Sequence, residues 1–495
     1  MKTSKERNHR TLRIKRTTSP RKPSPIVSLA TISLLVVLLF ATIRTFGSDA
    51  LEGGSQVILL AATAICAAVS MLFYRVKWQA IEQAIVSNIT GVSTSLIILL
   101  LIGALSGSWM ISGIVPTLIY YGIQVIHPDF YLVSTCAICC VVSVMTGSSW
   151  TTIATIGIAL LGVGQAQGFS DGWIAGAIIS GAYFGDKISP LSDTTVLASS
   201  VTETPLFTHI RYMMRTTVPS IVVTLIIFTV AGLMHNGIGS TEISLYTDAL
   251  KETFHISPWL LVVPVLTGVM IARRVPSLAT LFLSALMAGV AALIAQPHLL
   301  QEIAGGIAGA GGQFKGLLIT FYGETQVTTG DATLNDLVST GGMSGMLNTI
   351  WLILCAMCFG GAMAASGMLE SLITLFIGAM KRTAGMVAST VVSGIFFNLT
   401  TSDQYISIIL TGNLFRKFYR EQGYENRLLS RTIEDGVTVT SPLIPWNTCG
   451  MTQAAILGIS TFTYFPYCFF NWISPLMSIL VAAIGYQIVR TRTKE

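Results

Sequence analysis

Carboxylates inside apolar segments are the residues of this chain best suited to chemistry. Asp186 and Asp193 lie on either side of a Ser-Pro step, and Asp403 lies in a run of Thr and Ser residues. A charge at the centre of a bilayer costs at least about 2.5 kcal/mol, so such residues are expected to bind an ion. Hydroxyl and amide residues beside them supply the oxygen ligands that a hard cation such as sodium requires. The candidate sodium ligands are Ser148, Ser149, Asp193, Thr194, Thr401, Ser402, Asp403, Asn447 and Thr448.

The same carboxylates could carry protons. Away from water a carboxylate holds its proton more firmly, and a bound cation displaces that proton. Sodium and protons would then compete at Asp193 or Asp403, and competition at a site that opens alternately to each side of a membrane is sufficient for exchange. Lys187 is the expected counter-ion of Asp186. That pair is either a structural salt bridge or a direct part of the ion path.

Other ionisable residues are less informative. All six histidines fall in predicted loops or in the basic tail, so proton chemistry within the membrane is left to carboxylates and Lys187. Glu434 and Asp435 stand in the first turns of the predicted ninth span, where acidic residues favour a helix N-terminus. A proton relay is the alternative role for these two residues.

Two stretches of the chain repeat each other. Residues 145–149 are followed by a Ser-Pro-Leu at 189–191, and residues 399–403 are followed by a Ser-Pro-Leu at 441–443. The residue before a proline resists helical geometry, so each Ser-Pro should break a helix. One cluster of Ser and Thr would be explained by close helix packing. Two clusters in register, each beside a break, are typical of the substrate site of a secondary transporter.

Composition assigns the chain to the polytopic membrane proteins. Of its 495 residues 52% are hydrophobic and 11% are charged, with a mean hydropathy of +0.70, against about 25% charged in soluble domains. The fold class is therefore all-α, with about ten transmembrane helices and two re-entrant hairpins, 131–164 and 384–415, that have polar centres. The predicted spans are 25–46, 55–75, 90–126 with a possible bend at Pro116, 172–201, 216–235, 257–272, 275–295, 345–380, 428–460 and 465–490.

Basic residues predict the orientation and the domain organisation. Clusters such as Arg75 with Lys77 and Arg416 with Lys417 should be cytoplasmic, as should both termini. The first hairpin then enters from outside and the second from the cytoplasm, so the two repeats are inverted. The predicted units are a basic tail 1–24, peripheral spans 25–75, repeat 1 at 90–201, connecting and scaffold spans with an external linker at 202–344, repeat 2 at 345–460, and a last span with a cytoplasmic tail at 465–495.

Several function classes are disfavoured. The net charge of +6 comes largely from the N-terminal tail, which favours a lipid surface over a nucleic acid as its partner. The eight cysteines lie in or beside apolar spans and suggest neither disulfides nor a zinc site. The sequence has no metal-spaced histidine cluster, nucleophile elbow or phosphate loop, so we expect neither an enzyme nor a cofactor. Charged residues inside broken spans suit single-site binding better than the permeation of a channel.

The run from Gly181 to Thr195 resembles the signature of the NhaC family of sodium-proton antiporters. So do Thr340–Met346, Asn398–Tyr405 and Pro442–Thr448, and the resemblance extends from about residue 50 to residue 485. It implies a prokaryotic inner-membrane carrier of the ion-transporter superfamily. It also implies an elevator architecture, in which a transport domain slides against a scaffold, and a homodimer.

The resemblance leaves a second substrate class open. The NhaC family includes exchangers that resemble malate-lactate antiporters coupled to sodium and protons. A small organic anion or amino acid would need a cationic or amide-rich pocket, which Lys187, Asn398, Asn447 and Gln453 could form. Positive helix ends at the two hairpin tips could also attract an anion.

Overall fold

The chain is an assembly of helices of the length and composition that cross membranes. The computed structural model describes residues 23–46, 52–235, 240–327, 329, 335, 338–371, 382–488 and 490. In this part of the chain nine helices are long and apolar enough to span a bilayer, or up to eleven if each of two bent pairs counts as one span. The all-α polytopic prediction is confirmed. The basic tail up to residue 22, residues 372–380 of the predicted span 345–380, and residues 491–495 lie outside the described residues.

The helices of the first half include the first hairpin and the first broken span. In chain order they are α1 (Pro25–Phe46), α2 (Gly54–Tyr74), α3 (Trp78–Ile111), α4 (Ile114–Val125), α5 (Tyr131–Thr146), α6 (Ser149–Thr152), α7 (Ile158–Ala166), α8 (Asp171–Ile188), α9 (Asp193–Val201), α10 (Leu206–Leu233) and α11 (Ser240–Thr253). A π-helical turn, Ile153–Gly157, joins α6 to α7.

The helices of the second half include their counterparts. They are α12 (Val262–Ala272), α13 (Ser277–Ala295), α14 (Pro297–Ile303), α15 (Gly309–Tyr322), α16 (Gly342–Gly345), α17 (Leu347–Ala365), α18 (Thr383–Thr401), α19 (Gln404–Glu421), α20 (Asn426–Ile433), α21 (Thr448–Leu457), α22 (Thr461–Tyr464) and α23 (Phe469–Ile484). A second π-helical turn, Glu434–Thr438, follows α20 directly. The division of the chain into repeats and scaffold stays a prediction.

The long span predicted at 90–126 is broken earlier than expected. Helix α3 ends at Ile111, and Gly113 takes a left-handed conformation with φ 82° before α4 begins. Pro116 lies in the first turn of α4, where its missing N–H has no helical acceptor to lose. A bend at Pro116 is therefore wrong, and the glycine two residues after α3 makes the turn.

Small residues bring the first hairpin close to the first broken span. Gly181 and Gly185 of α8 lie against the backbone and side chains of α5, at Cys136 and at Ser143. Glycines four residues apart let two helix backbones approach, which is how helices associate where apolar surfaces gain nothing from leaving lipid. Ser143 Oγ donates to the Ala182 carbonyl at 2.5 Å, which joins the two helices further. This contact sets Asp186 beside the tip of the first hairpin.

Helix α23 has a polar face directed inward. Leu476, Leu480 and Ile484 are exposed, while Ser474 and Ser478 on the opposite face are fully buried. A helix with this distribution presents apolar side chains to lipid and polar side chains to the protein interior. The polar face of α23 lies against the centre of the second broken span.

Candidate functional site

The first tip, residues 146–149, is a tight reversal between two helices. Helix α5 ends at Thr146, and Gly147 is left-handed with φ 67°. Ser148 then caps α6, because its hydroxyl accepts the Thr151 amide at 3.2 Å. The Thr146 hydroxyl accepts the Ser148 amide at 3.1 Å, so the turn is closed on both sides.

The second tip, residues 401–403, has the same construction. Helix α18 ends at Thr401, and Ser402 is left-handed with φ 58°. Asp403 caps α19, since its Oδ1 accepts the Ile406 amide at 2.9 Å. The Asp403 amide donates to the Thr401 hydroxyl at 3.3 Å. This hydrogen-bond pattern is that of the first tip, and it supports a duplication of the two segments.

The matched hydrogen bonds correct the alignment of the repeats. Thr146 corresponds to Thr401, an offset of 255, rather than to Thr400 as the order of residue types suggests. The helix caps after the two breaks, Ser192 and Asn447, differ by the same 255. The repeated Ser-Pro-Leu differs by 252 because the second break has three more residues before its cap. Asp403 is therefore the counterpart of Ser148.

The left-handed glycine of the first tip gives a local prediction. A Cβ at residue 147 would lie 2.7 Å from backbone and side-chain atoms of Leu191, in a conformation that L-residues disfavour. Gly147→Ala should destabilise the protein by about 2 kcal/mol, measured as a lower unfolding temperature in detergent. Gly91→Ala in α3 is the matched control, because a Cβ there meets nothing within 4 Å. Equal stability of the two variants would contradict this account of the tip.

The first break, residues 189–192, holds a buried carboxylate against the first tip. Asp186 Oδ2 accepts the Ser149 hydroxyl at 2.7 Å, and Oδ1 accepts the Ser192 hydroxyl at 2.6 Å. Ser192 Oγ is 2.9 Å from Thr194 Oγ1. We call Asp186, Ser149, Ser192 and Thr194 the first carboxylate site. Asp193 is more exposed and makes no hydrogen bond through its carboxylate to any described residue.

The second break, residues 439–447, lies against the second tip in the same way. The Thr448 amide donates to the Ser402 carbonyl at 2.8 Å, and the Thr448 hydroxyl donates to Asp403 Oδ2 at 3.2 Å. Asn447 caps α21 and donates through Nδ2 to the Asn398 carbonyl at 3.1 Å. We call Thr401, Ser402, Asp403, Asn447 and Thr448 the second carboxylate site, and every member is buried.

The two sites adjoin around residues that the sequence did not single out. The Tyr405 hydroxyl lies within electrostatic range of Asp186, Asp193 and Asp403. Cys449 donates to Gln404 Oε1 at 2.6 Å, which joins the second tip to the start of α21. An aromatic residue or a cysteine in an apolar segment usually serves helix packing. The signal in the sequence that could have identified Tyr405 as a site residue was its position two residues after Asp403. Both sites therefore form one polar region.

The partner expected for Lys187 is wrong. Lys187 Nζ is fully buried and forms its ion pair with Asp435 instead of Asp186, and it donates to Ser474 Oγ at 2.8 Å. Thr216 Oγ1 also donates to Asp435 Oδ1, at 3.0 Å. Adjacent residues of a helix point in different directions, so Asp186 faces the first tip while Lys187 faces the second broken span. The ion pair joins the two halves.

Glu434 and Asp435 are not residues of a helix N-terminus. Helix α20 begins at Asn426, and the two acids lie after it, in the π-helical turn Glu434–Thr438, where both are fully buried. The capping interpretation is therefore wrong. Single π-helical turns inside α-helices occur frequently at functional sites.

Polar atoms left free at the second site are mostly acceptors. Among the described residues Asn398 Oδ1 and Gln453 Oε1 are buried without a hydrogen-bond partner, as are the Ser402 hydroxyl and one amide donor, Gln404 Nε2. The amide groups of the same side chains donate within the protein: Asn398 Nδ2 to the Val437 carbonyl at 2.7 Å, and Gln453 Nε2 to the Tyr183 hydroxyl at 3.3 Å. Free buried oxygens are suited to a cation.

Known proteins are similar to this chain over the segments that form both breaks and the second tip. The model of the Na+/H+ antiporter family matches residues 181–486, which include both breaks and the second tip. The chain is 36% identical over 418 residues to the malate-2H+/Na+-lactate antiporter of Bacillus subtilis, covering 84% of this chain and 86% of that protein. It is 33% identical over 431 residues to the Na+/H+ antiporter NhaC of Bacillus subtilis, covering 87% and 91%. It is 31% identical over 479 residues to the arginine/ornithine antiporter ArcD of Halobacterium salinarum, covering 96% and 95%.

Proposed function

The chain belongs to the Na+/H+ antiporter family, and on that premise we propose that it is a secondary active transporter that exchanges sodium for protons by alternating access. The observation that supports this most directly is the pairing of each hairpin tip with a helix break around a buried carboxylate, Asp186 in one half and Asp403 in the other. Non-helical backbone at membrane depth is tolerated where protein, water or an ion satisfies it.

We propose the first carboxylate site as the principal sodium site. Asp186 supplies the negative charge, and the hydroxyls of Ser149, Ser192 and Thr194 supply neutral oxygens within one hydrogen-bond network. A hydroxyl that donates to a carboxylate keeps its lone pairs, so it can coordinate a cation at the same time. Asp193 acts electrostatically on Asp186 and increases the attraction for cations.

The second carboxylate site is proposed to hold or release the ion as the carrier changes conformation. Asp403 accepts two hydrogen bonds that position it, one from an amide of α19 and one from Thr448, the first residue of α21 after the second break. The oxygens of Asn398 and Ser402 that have no hydrogen-bond partner are further acceptors at this site for a cation. Because the hydrogen bond from Thr448 to Ser402 connects the second tip to the start of α21, a movement of either segment changes the geometry of the ligands.

An organic substrate is the second candidate, and the names of two relatives favour it. One is called a malate-2H+/Na+-lactate antiporter and another an arginine/ornithine antiporter. The contacts favour the cation. Lys187, the cation expected to bind an anion, forms an ion pair with Asp435, and the donor groups of Asn398 and Gln453 bond within the protein. Among the described amides beside Asp403, Gln404 Nε2 is a donor without a partner. A carboxylate substrate would have to displace the bonds of Lys187, Asn398 and Gln453, and a buried donor left unsatisfied costs about 1 to 3 kcal/mol.

Flux in proteoliposomes tests the assignment. Purified protein would be reconstituted with an internal pH dye, and sodium, lithium or potassium chloride added outside, followed by malate, lactate and arginine. We expect sodium chloride alone to change the internal pH, with saturation and dependence on a counter-gradient. A response that requires an organic solute would replace sodium-proton exchange by the second candidate. Protein-free liposomes supply the baseline.

The cellular setting follows from the same proposal. The apolar helices make the chain a multi-pass membrane protein, and the family is consistent with a bacterial or archaeal inner membrane. We propose cytoplasmic termini, inverted repeats, a homodimer and transport without enzymatic turnover or cofactor. Labelling of single cysteines introduced on either side of the membrane would test the orientation.

A further inference from the structure

A buried charge cluster lies between the two broken spans, next to the first carboxylate site. Its members are Lys187 of α8, Arg431 of α20, and Glu434 and Asp435 of the π-helical turn, and each is fully buried. Lys187 is paired with Asp435, and Arg431 Nε lies 3.6 Å from Asp435 Oδ2. The Arg431 guanidinium also lies over the Tyr212 ring, 5.2 Å from its centroid.

Glu434 is the member of this cluster that has no ion pair to any described residue, and it shares the lack of a hydrogen bond with the Arg431 guanidinium. Within the described residues neither of its carboxylate oxygens has a hydrogen-bond partner, although the side chain is fully buried. The hydroxyl of Thr438, one turn along, is also without a partner. An ionised carboxylate in such a place would lose its hydration and gain no hydrogen bond, while Lys187, the cation that acts on it, is already paired with Asp435. Burial of the neutral acid costs far less. The arrangement therefore fits a carboxyl group that carries a proton.

The balance of charges gives a second, independent indication. Lys187 and Arg431 supply two positive charges, and Asp435 and Asp186 supply two negative charges. Lys187, Asp186 and Asp435 are close enough to Glu434 to act on it electrostatically. With Glu434 protonated, these four charges sum to zero; Asp403, which is also buried, belongs to the second carboxylate site and is not among them.

Apart from Asp403, the cap of α19 in the second carboxylate site, the titratable groups of the surrounding helices leave this sum unchanged. His209 of α10 donates to or accepts from Ser430 Oγ at 2.8 Å, and Tyr419 of α19 is bonded to Thr390 at 3.0 Å. Both add no charge in their neutral forms. Helices α18 and α23, which also pack on the turn, contain no titratable residue between Thr383 and Thr401 or between Phe469 and Ile484. Asp193 of α9 is exposed enough to keep part of its hydration.

We propose that Glu434 carries the exchanged proton, at a position separate from the sodium ligands of the Asp186 site. This proposal rests on the proposed function. Sodium bound to Asp186 adds one positive charge to the buried groups, and loss of the Glu434 proton to water on the open side restores the balance. Release of sodium on the other side reverses both steps. Coupling then arises from charge shared between two carboxylates instead of from competition for one.

The decisive variant is Glu434→Gln, which keeps the shape of the protonated acid and cannot release a proton. In wild-type protein the dissociation constant for sodium should fall about tenfold per pH unit while one proton is released for each ion bound. In Glu434→Gln the dissociation constant for sodium should equal the high value that the wild-type protein has at low pH, and it should no longer depend on pH. Sodium-driven proton flux should fall more than about 100-fold, while exchange of labelled for unlabelled sodium persists at saturating sodium.

Controls separate this proposal from the proposed function. Glu421→Gln, at the exposed end of α19, should behave as wild type. A wild-type protein without sodium-driven proton flux would exclude the proposed function itself. An active wild type, together with a Glu434→Gln variant that keeps the pH dependence of sodium binding, would overturn the assignment of the proton alone. If Glu434→Gln does not fold, Glu434→Asp replaces it: a shifted pH profile supports the proposal, and an unchanged profile overturns it.

Discussion

Asp186→Asn should abolish sodium-driven proton flux. Asp186 is the charged member of the first carboxylate site, and it accepts hydrogen bonds from both the first tip and the first break. Asparagine keeps one acceptor oxygen and loses the charge, so sodium would be held by neutral oxygens alone. Even the loss of an outer ligand weakens metal sites by about 10- to 100-fold, and loss of the charged ligand should exceed that. Flux in proteoliposomes and sodium binding in detergent measure the effect.

The matched control for this variant is Asp171→Asn. Asp171 begins the same helix, α8, where its exposed carboxylate accepts Gln165 Nε2 at 2.9 Å, remote from the tip. It should retain flux within about twofold, since exposed polar changes cost little. Both variants should elute as folded protein in size-exclusion chromatography. Normal flux in Asp186→Asn would exclude the first site, and Asp403→Asn would become the leading variant.

Local features of the site were predictable from the sequence for physical reasons. Prolines after serine mark the breaks, because they cannot continue a helix, and hydroxyl residues in apolar segments mark the tips. Asp403 and Ser148 were identified in this way, and both are helix caps at the tips. The register of the duplication was one residue off, because Thr400 and Thr401 are the same residue type. Only the hydrogen bonds distinguish them.

Contacts between residues far apart in the chain could not be predicted from the sequence. Lys187 and Asp435 are separated by 248 residues, and the sequence offered Asp186 as a neighbour without showing that the two side chains point apart. Glu434 was assigned to a helix start because charged residues there usually begin helices, yet α20 starts eight residues earlier. Which buried group contacts which is decided by helix packing, and residue types do not encode it locally.

Lys187→Met should destabilise the protein more than any other single change considered. It would leave Asp435 buried at 0% exposure with two hydroxyl donors and Arg431 but without its ammonium partner. Removal of one partner of a buried ion pair costs about 3 to 5 kcal/mol, because the remaining charge stays desolvated. The unfolding temperature in detergent and the yield of folded protein should both fall. Asp435→Asn should have a comparable effect, since it leaves two buried cations.

The double variant Lys187→Met with Asp435→Asn identifies the pair. Removing both charges replaces an uncompensated ion by a neutral contact, so the loss of stability should be smaller than the sum of the two single losses by about 1 to 3 kcal/mol. Rescue should be incomplete because Arg431 Nε, 3.6 Å from Asp435 Oδ2, loses its carboxylate. Lys187→Met with Asp186→Asn is the matched control and should show no rescue, because Asp186 is bonded to Ser149 and Ser192. Rescue by Asp186→Asn in place of Asp435→Asn would show that the buried lysine neutralises the sodium-site carboxylate, and the pairing of Lys187 with Asp435 would then be wrong.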